Sequence, residues 1–264
     1  MRLGIVGNGV VGSATAEIFR KEHEVLAWDS LPDRRTVGNL GDVLACDLVF
    51  LCLPTPMAED GSCDTSVIDR FLESLDPGPP CSLVLRSTVP VSYTGRLFAR
   101  KLRRLCTFSH WPEFLTARTA LRDAAEPVRN VVGMTRWNPV LVSLLTERFP
   151  DVPLFLMTTD ESEAVKLVQN SFSAVKIAFF NETRCLADKA GLDWTAVLRA
   201  VLAGGWVNPM HTQVPGPDGL RGFGGSCLPK DLSSLIHQIE HFGLPASVCR
   251  GALDRNRLDR GAAP

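Results

Sequence analysis

The chain has 264 residues, 45% of them hydrophobic and 22% charged, with a formal net charge of −1 at pH 7. That is the composition of a soluble globular protein of one large or two modest domains, with no general electrostatic pull toward nucleic acid or an anionic membrane. No apolar stretch approaches the ~20 residues that span a bilayer, and glycines follow Leu3–Val6 at once, so no signal peptide is expected at the N-terminus.

Short β-rich runs alternate with helical patterns through the first half. Strands are expected at Leu3–Val6, Glu24–Trp28, Leu48–Leu53, Ser82–Arg86, Cys106–Ser109, Asn130–Gly133 and Leu154–Met157. Helices are expected between many of them, as at Val11–Lys21, Ser66–Leu75 and Val91–Arg103. Such alternation implies an α/β fold with a doubly wound, Rossmann-type parallel sheet. Near Thr158 the character changes. Thr159-Asp160-Glu161-Ser162 supplies N-cap residues, and a helical period then runs to about Ala190, where Gly191 stops it. A further helix starts at Asp193, a Gly- and Pro-rich loop covers 204–225, and a last helix runs over about Lys230–Phe242. Arg255 to Pro264 reads as a frayed polar end. The expected division is a dinucleotide-binding domain at 1–157 and a helical domain at 158–264.

Gly7-Asn8-Gly9-Val10-Val11-Gly12 fits GxGxxG directly after a strand and at the opening of a helix. That context suits a tight turn, close backbone approach to a pyrophosphate and a helix N-terminus facing it. Asp29 ends the second strand, where a carboxylate accepts hydrogen bonds from the ribose hydroxyls of NAD. Arg34 and Arg35 stand nearby, where a guanidinium could hold the extra phosphate of NADP. The acid at the strand end favours NAD.

The run Gly222-Phe223-Gly224-Gly225-Ser226-Cys227-Leu228-Pro229-Lys230-Asp231 places a cysteine at the mouth of a helix. Glycines allow a substrate close to the backbone, and a helix N-terminus favours thiolate. Asp231 falls near the same face of the first turn if Cys227 is already helical. On the cysteine alone, a capping loop with a buried thiol and a dipole-complementing Asp231 is the better reading. Lys166 and Asn170 share a helix face at i,i+4. Taken alone, Lys166 reads first as a solvated lysine paired with Glu163; desolvated, it would stabilise an oxyanion. Glu113, in Pro112-Glu113-Phe114-Leu115, follows a strand end and is either an acid–base group or a solvated loop carboxylate. Ser87-Thr88 likewise binds a ligand hydroxyl or caps a helix. The eight cysteines form no CxxC pair and have no His cluster beside them, so no metal site is expected. They read as reduced thiols of a cytoplasmic protein.

Together these segments resemble the UDP-glucose/GDP-mannose dehydrogenase family over nearly the whole chain. The resemblance runs through Gly7–Gly12, Pro54-Thr55-Pro56, Ser87-Thr88-Val89-Pro90, Pro112–Leu115, Glu163–Asn170, Lys176-Ile177, Asn181-Glu182 and Gly222–Asp231. It implies a homodimer that oxidises the C6 alcohol of a nucleotide sugar, UDP-glucose first, to an acid with two NAD. By motif position, Cys227 forms a thiohemiacetal and then a thioester, while Lys166 and Asn170 hold an oxyanion and a water. Asp231 assists as base, Glu113 aids thioester hydrolysis and Thr88 lines the reacting centre. Gly7, Gly9, Val10, Val11, Gly12, Asp29, Arg34, Pro54, Thr55 and Ser87 would hold the cofactor. Phe114, Leu115, His211, Arg221, Phe223 and Gly224 would meet the substrate.

The chain departs from the family pattern in three respects, one being the loop Trp206–Arg221, which lacks the usual arginine-containing start. Ala117 stands where a second Glu is usual and Arg118 where Gly is usual. The chain also ends soon after the helix that leads, in typical members, to a third domain, which suggests a short form. Two rivals remain: the same chemistry on another nucleotide or sugar alcohol, and an NAD-binding homologue without activity. A β-hydroxyacid dehydrogenase shares the two-domain plan but has no use for Gly-Gly-Ser-Cys.

Overall fold

The computed structural model describes residues 1–75, 81–102, 106–116 and 118–261. The chain forms two compact units: Met1–Pro56 with Asp64–Lys166, and Met57–Cys63 with Leu167–Pro264. The division falls inside a helix, whereas the expected boundary at 157–158 precedes it.

In the first unit the described residues form seven strands: β1 (Arg2–Val6), β2 (Glu24–Trp28), β3 (Leu48–Leu51), β4 (Cys81–Leu85), β5 (Cys106–His110), β6 (Asn130–Met134) and β7 (Leu154–Met157). They make one sheet in the order β2-β1-β3-β4-β5-β6-β7. Its helices are α1 (Val10–Phe19), α2 (Leu40–Leu44), α3 (Ser66–Glu73), α4 (Tyr93–Leu97), α5 (Ala120–Ala125) and α6 (Pro139–Arg148). Strand side chains alternate between two cores: Leu3, Ile5, Phe50 and Val84 face one, while Val6, Val49, Leu51, Leu83 and Leu85 face the other. Such alternation is what a sheet covered on both faces requires.

All pairings are parallel except β5 with β6, which run antiparallel through Ser109↔Met134 and His110↔Gly133. The doubly wound parallel sheet is as expected apart from this one pairing. The order reverses between β1 and β3, and the crevice beyond the carboxyl ends of these strands is the ligand position of such sheets.

The first turns of α7 (Thr159–Ala190) are held in this unit by side chains. Ser92 donates to Asp160 at 2.7 Å, Glu163 accepts the Thr94 amide at 2.8 Å, and Ser162 shares a 2.7 Å hydrogen bond with His110. Glu163 therefore does not pair with Lys166. Local i,i+3 spacing suggested that pair, but tertiary contacts with α4 claim the carboxylate. Burial pushes the Glu163 carboxyl up to about 7 despite the Thr94 hydrogen bonds, and Asp160 adds to the shift.

The second unit holds the rest of α7 with α8 (Trp194–Ala203), α9 (Leu228–His241) and α10 (Ser247–Arg260). Its core joins Ala174 and Ala178 of α7, Leu232 and Ile236 of α9, Ala252 of α10 and Phe223 of the preceding loop. Asp193 caps α8 by accepting the Thr195 and Ala196 amides, one position before the helix proper. α10 corrects the expectation of a frayed end over 255–264: Arg255 to Arg260 are helical, and Gly261 closes the helix with φ +70°. Residues 262–264 lie outside the described residues. The helix escaped notice because its buried positions are Ala252 and Asn256, which carry almost no hydrophobic signal.

Candidate active site

The first unit holds a cofactor cradle. Gly7 has φ +88°, and a Cβ there would lie 2.5 Å from the Cys52 carbonyl oxygen. A Cβ on Gly12 would lie 2.0 Å from the Gly7 oxygen, so α1 can pack on β1 only over a glycine. At Gly9 the nearest atom to a Cβ would be Arg34 Nη1 at 3.9 Å, which leaves open space at the N-terminus of α1. Val10 is exposed there. Asn8 Oδ1 is buried and finds no hydrogen-bond partner among the described residues.

Asp29 accepts the Asn8 amide at 2.7 Å and the Leu31 amide at 2.9 Å. Burial works against its charge, but those amides, Ser30 and Arg34 hold the carboxyl below the usual aspartate range. With Asn8, Leu31 and Ser30 donating to it, the ionised carboxylate keeps a lone pair for a further donor. Arg35 is tied to the Asp29 and Ser30 carbonyls at 2.6 and 3.0 Å and stacks over Trp28. Open space at Gly9, an ionised Asp29 and an orphaned Asn8 oxygen fit a dinucleotide. The loops after β3 and β4 are laced together: Thr55 donates to the Thr88 carbonyl at 2.8 Å and Ser87 to the Leu53 carbonyl at 2.6 Å. Pro54 between them is exposed.

In the same unit Lys166, only 3% exposed, donates to Glu113 Oε1 at 2.8 Å and to the Glu113 carbonyl at 2.7 Å. A lysine ammonium has three hydrogens, so one remains for an oxyanion. Glu113 Oε2 accepts the Leu115 amide at 2.6 Å. Burial opposes ionisation of Glu113, yet the Lys166 ammonium, the Leu115 amide and Arg86 hold its carboxyl below the usual glutamate range. Lys166 and Arg129 both lie over the Phe114 ring, while the Leu115 side chain packs on the core. Arg86 is a member that the sequence reading missed. It is buried, stacks 3.7 Å above Trp111 and donates to the Trp111 carbonyl. Its position inside an apolar strand run gave no sign of a buried cation. Ala117 lies outside the described residues.

The second unit holds the cysteine loop. Cys227 is the N-cap of α9, with helical φ −93° and ψ −59°, and Asp231 N donates to its carbonyl at 2.9 Å. It is thus in the helical frame, and its thiol is exposed 3.7 Å from Ser226 Oγ. The Asp231 carboxylate is buried, bonded by Lys230 at 2.5 Å and Asn170 at 2.6 Å. Lys230 was passed over in the sequence, although its neighbour in the chain is the residue it pairs with.

Two glycines of this loop also meet a packing demand. At Gly222, with φ +71°, a Cβ would lie 2.4 Å from Asn256 Oδ1, and at Gly224 it would lie 2.9 Å from Arg260 Nη2. Both glycines make room for α10. Gly225, with φ +77° and nothing within 4 Å, faces open space. Phe223 is a core residue, 2% exposed. Arg221 is engaged by Asp188 at 2.6 Å and by Cys185 Sγ at 2.8 Å. His211 is exposed, with φ +66°.

Known proteins resemble this chain in sequence and fold. Residues 39–144 match the family model for the UDP-glucose/GDP-mannose dehydrogenase family, NAD binding domain, and residues 160–258 match its central domain. The chain is 27% identical to a UDP-glucose 6-dehydrogenase of Campylobacter jejuni, over 98% of this chain and 72% of that protein. It is 29% identical to a UDP-glucose 6-dehydrogenase of Rickettsia typhi, over 87% of this chain and 54% of that protein. The chain therefore spans about half to three quarters of these relatives' length. A solved UDP-glucose dehydrogenase from Pyrobaculum islandicum superposes with a TM-score of 0.85 and 28% identity, covering 97% of this chain and 68% of that one. The match to an NAD binding domain makes NAD the cofactor. With both family regions matched in order, the chain belongs to the UDP-glucose/GDP-mannose dehydrogenase family.

Proposed function

We propose that this protein oxidises the C6 primary alcohol of a nucleotide sugar, UDP-glucose first, to the carboxylic acid with two NAD. The observation that carries the reading is Cys227, an exposed thiol at the N-terminus of a 14-residue helix beside the Asn170–Asp231–Lys230 chain. NAD, when bound, supplies a hydride acceptor; Gly7, Gly9, Gly12, Asp29 and Arg34 would hold it.

The chain's own residues do the rest. An aldehyde has no good hydride to give until a nucleophile adds to its carbonyl. The Cys227 sulfur forms that bond, and the carbonyl oxygen takes the proton, giving a thiohemiacetal. Loss of the hydride together with the hydroxyl proton leaves a thioester, and water then breaks the C–S bond, returning the thiol and releasing the acid. Asp231 is the proton acceptor near Cys227, with Asn170 and Lys230 orienting its two oxygens. Lys166 offers its remaining hydrogen to the oxyanion, Glu113 activates the hydrolytic water, and Thr88 lines the reacting centre.

The reading includes a homodimer and a cytoplasmic setting. Val168, Phe172, Phe179 and Leu186 leave large exposed apolar surface along α7, and α8 has no buried residue. Cys46, Cys52, Cys185, Cys227 and Cys249 stand outside any disulfide. No helix among the described residues is long and apolar enough to cross a membrane.

A panel of nucleotide sugars and simple alcohols, followed by NADH absorbance with product quantified, tests the reading. Two NADH per UDP-glucose, and loss of acid formation in Cys227→Ser, are expected. One NADH per turnover with free aldehyde sinks the thioester scheme. Turnover confined to another alcohol moves the substrate, and binding of NAD with no turnover at all removes the activity. The same assay with NADP in place of NAD should give a much lower kcat/KM.

A further inference from the structure

The exposed turn Gly225–Cys227 has two fixed ends. One is α9, whose first turn contains Cys227. The other is the peptide pair at Gly222 and Phe223, held by two buried asparagines from different helices. Asn181 of α7, 1% exposed, accepts the Gly222 amide at 3.0 Å and anchors its own amide group on the Ile177 carbonyl at 2.8 Å. Asn256 of α10 accepts the Phe223 amide at 2.6 Å. Arg260, one turn further on, donates to the Gly222 carbonyl at 3.1 Å and is steadied by Asp218 at 2.8 Å. Gly222 and Gly224 are glycines because Asn256 and Arg260 occupy the space a Cβ would need.

We infer that Asn181 and Asn256 form a clamp that sets the direction in which the chain enters the Cys227 turn, making both positioning residues for the thiol. The inference rests on the thiol chemistry proposed above. Buried amide donors at 222 and 223 must be satisfied, and only acceptors at these two points satisfy both. With either acceptor removed, the peptide seeks water, the turn shifts, and Cys227 leaves its place at the α9 N-terminus. A displacement of about 1 Å costs a reaction on the order of 100-fold.

The test compares Asn256→Ala with Asn256→Asp, which keeps an acceptor at the same place. In Asn256→Ala, the Phe223 amide should exchange its hydrogen about tenfold faster or more, with α9 still protected. With UDP-glucose and NAD, kcat should fall roughly 10- to 100-fold while both KM values stay within about threefold. Alkylation of Cys227 by iodoacetamide should slow by about threefold as the thiol leaves the helix N-terminus. Asn256→Asp should restore most of each loss. Unchanged exchange at Phe223 overturns the clamp. Faster exchange with unaltered kcat and alkylation overturns the positioning role. If the wild type oxidises no nucleotide sugar, the functional reading fails, and the exchange and alkylation rates still decide the clamp. Should Asn256→Ala fail to fold, Arg260→Ala, which removes the bond to the Gly222 carbonyl together with the Asp218 pair, must shift exchange and alkylation in the same directions.

Discussion

Lys166 grips Glu113 twice, donating to its carboxylate at 2.8 Å and to its backbone carbonyl at 2.7 Å. Removing one partner leaves a buried charge without compensation, which costs about 3–5 kcal/mol. Lys166→Met should therefore lose about that much stability to urea at pH 7, and the double variant Lys166→Met/Glu113→Gln should recover a large part. The Glu113 carboxyl is held below its ordinary value of 4.5, so its contribution is present above pH 4.5 and is lost as pH falls through the folded-state value. Glu113→Gln should flatten the acid limb of a stability–pH curve. An unchanged acid limb would remove the pair from the stability account.

Glu163 works in the opposite sense. Its carboxyl is raised to about 7 by burial, so between its ordinary 4.5 and 7 the folded protein keeps a proton that the unfolded chain has lost. Stability falls as pH rises through that window, by roughly 3 kcal/mol. Glu163→Gln, which keeps an acceptor for the Thr94 amide, should abolish this decline. Thermal unfolding of both proteins from pH 4.5 to 8 measures it, and parallel curves would refute it.

Two glycines with the same sign of φ should respond differently to alanine. At Gly225 the added Cβ meets nothing, and only the left-handed backbone costs energy, about 1–2 kcal/mol. At Gly222 the same backbone penalty is joined by a 2.4 Å approach to Asn256 Oδ1. Gly222→Ala should be the more destabilising of the two by chemical denaturation, by about 1 kcal/mol or more. Equal losses would mean that Asn256 yields freely.

The exposed rings of Phe172 and Phe179 sit seven positions apart on α7, two turns along one face. Phe172→Glu/Phe179→Glu should convert a dimer to a monomer in sedimentation, with little change in helix content. A wild type that sediments as a monomer contradicts the dimer.

Every strand was legible in the sequence, because runs such as Leu48-Val-Phe-Leu51 are apolar, bounded and β-prone. The relative direction of β5 and β6 was not, since α5 could be judged neither in length nor in path. The cofactor turn was legible from Gly7, Gly9 and Gly12, whose steric needs are local. The ion pairs were less so. Lys166 finds Glu113 across 53 positions and Asn170 finds Asp231 across 61, and spacing along one helix has no bearing on such partners. Lys230 pairs with its own neighbour, but burial of that pair is a tertiary outcome. In α10 the side chains facing inward are small or polar, so its periodicity does not register as hydrophobic.

The grip of α10 on the cysteine loop also has a meaning in time. Phe223 waits for a partner 33 positions downstream, and Gly222 for one 38 positions downstream. A ribosome-bound chain that has already emerged through Asp231 carries every residue of the glycine–cysteine run and Asn181, and still lacks Asn256 and Arg260. On an arrested nascent chain ending before Arg255, Cys227 should be alkylated like an unstructured thiol, and only chains extended past Arg260 should show the mature rate. Synthesis order thus leaves the Cys227 turn unorganised until α10 is in place.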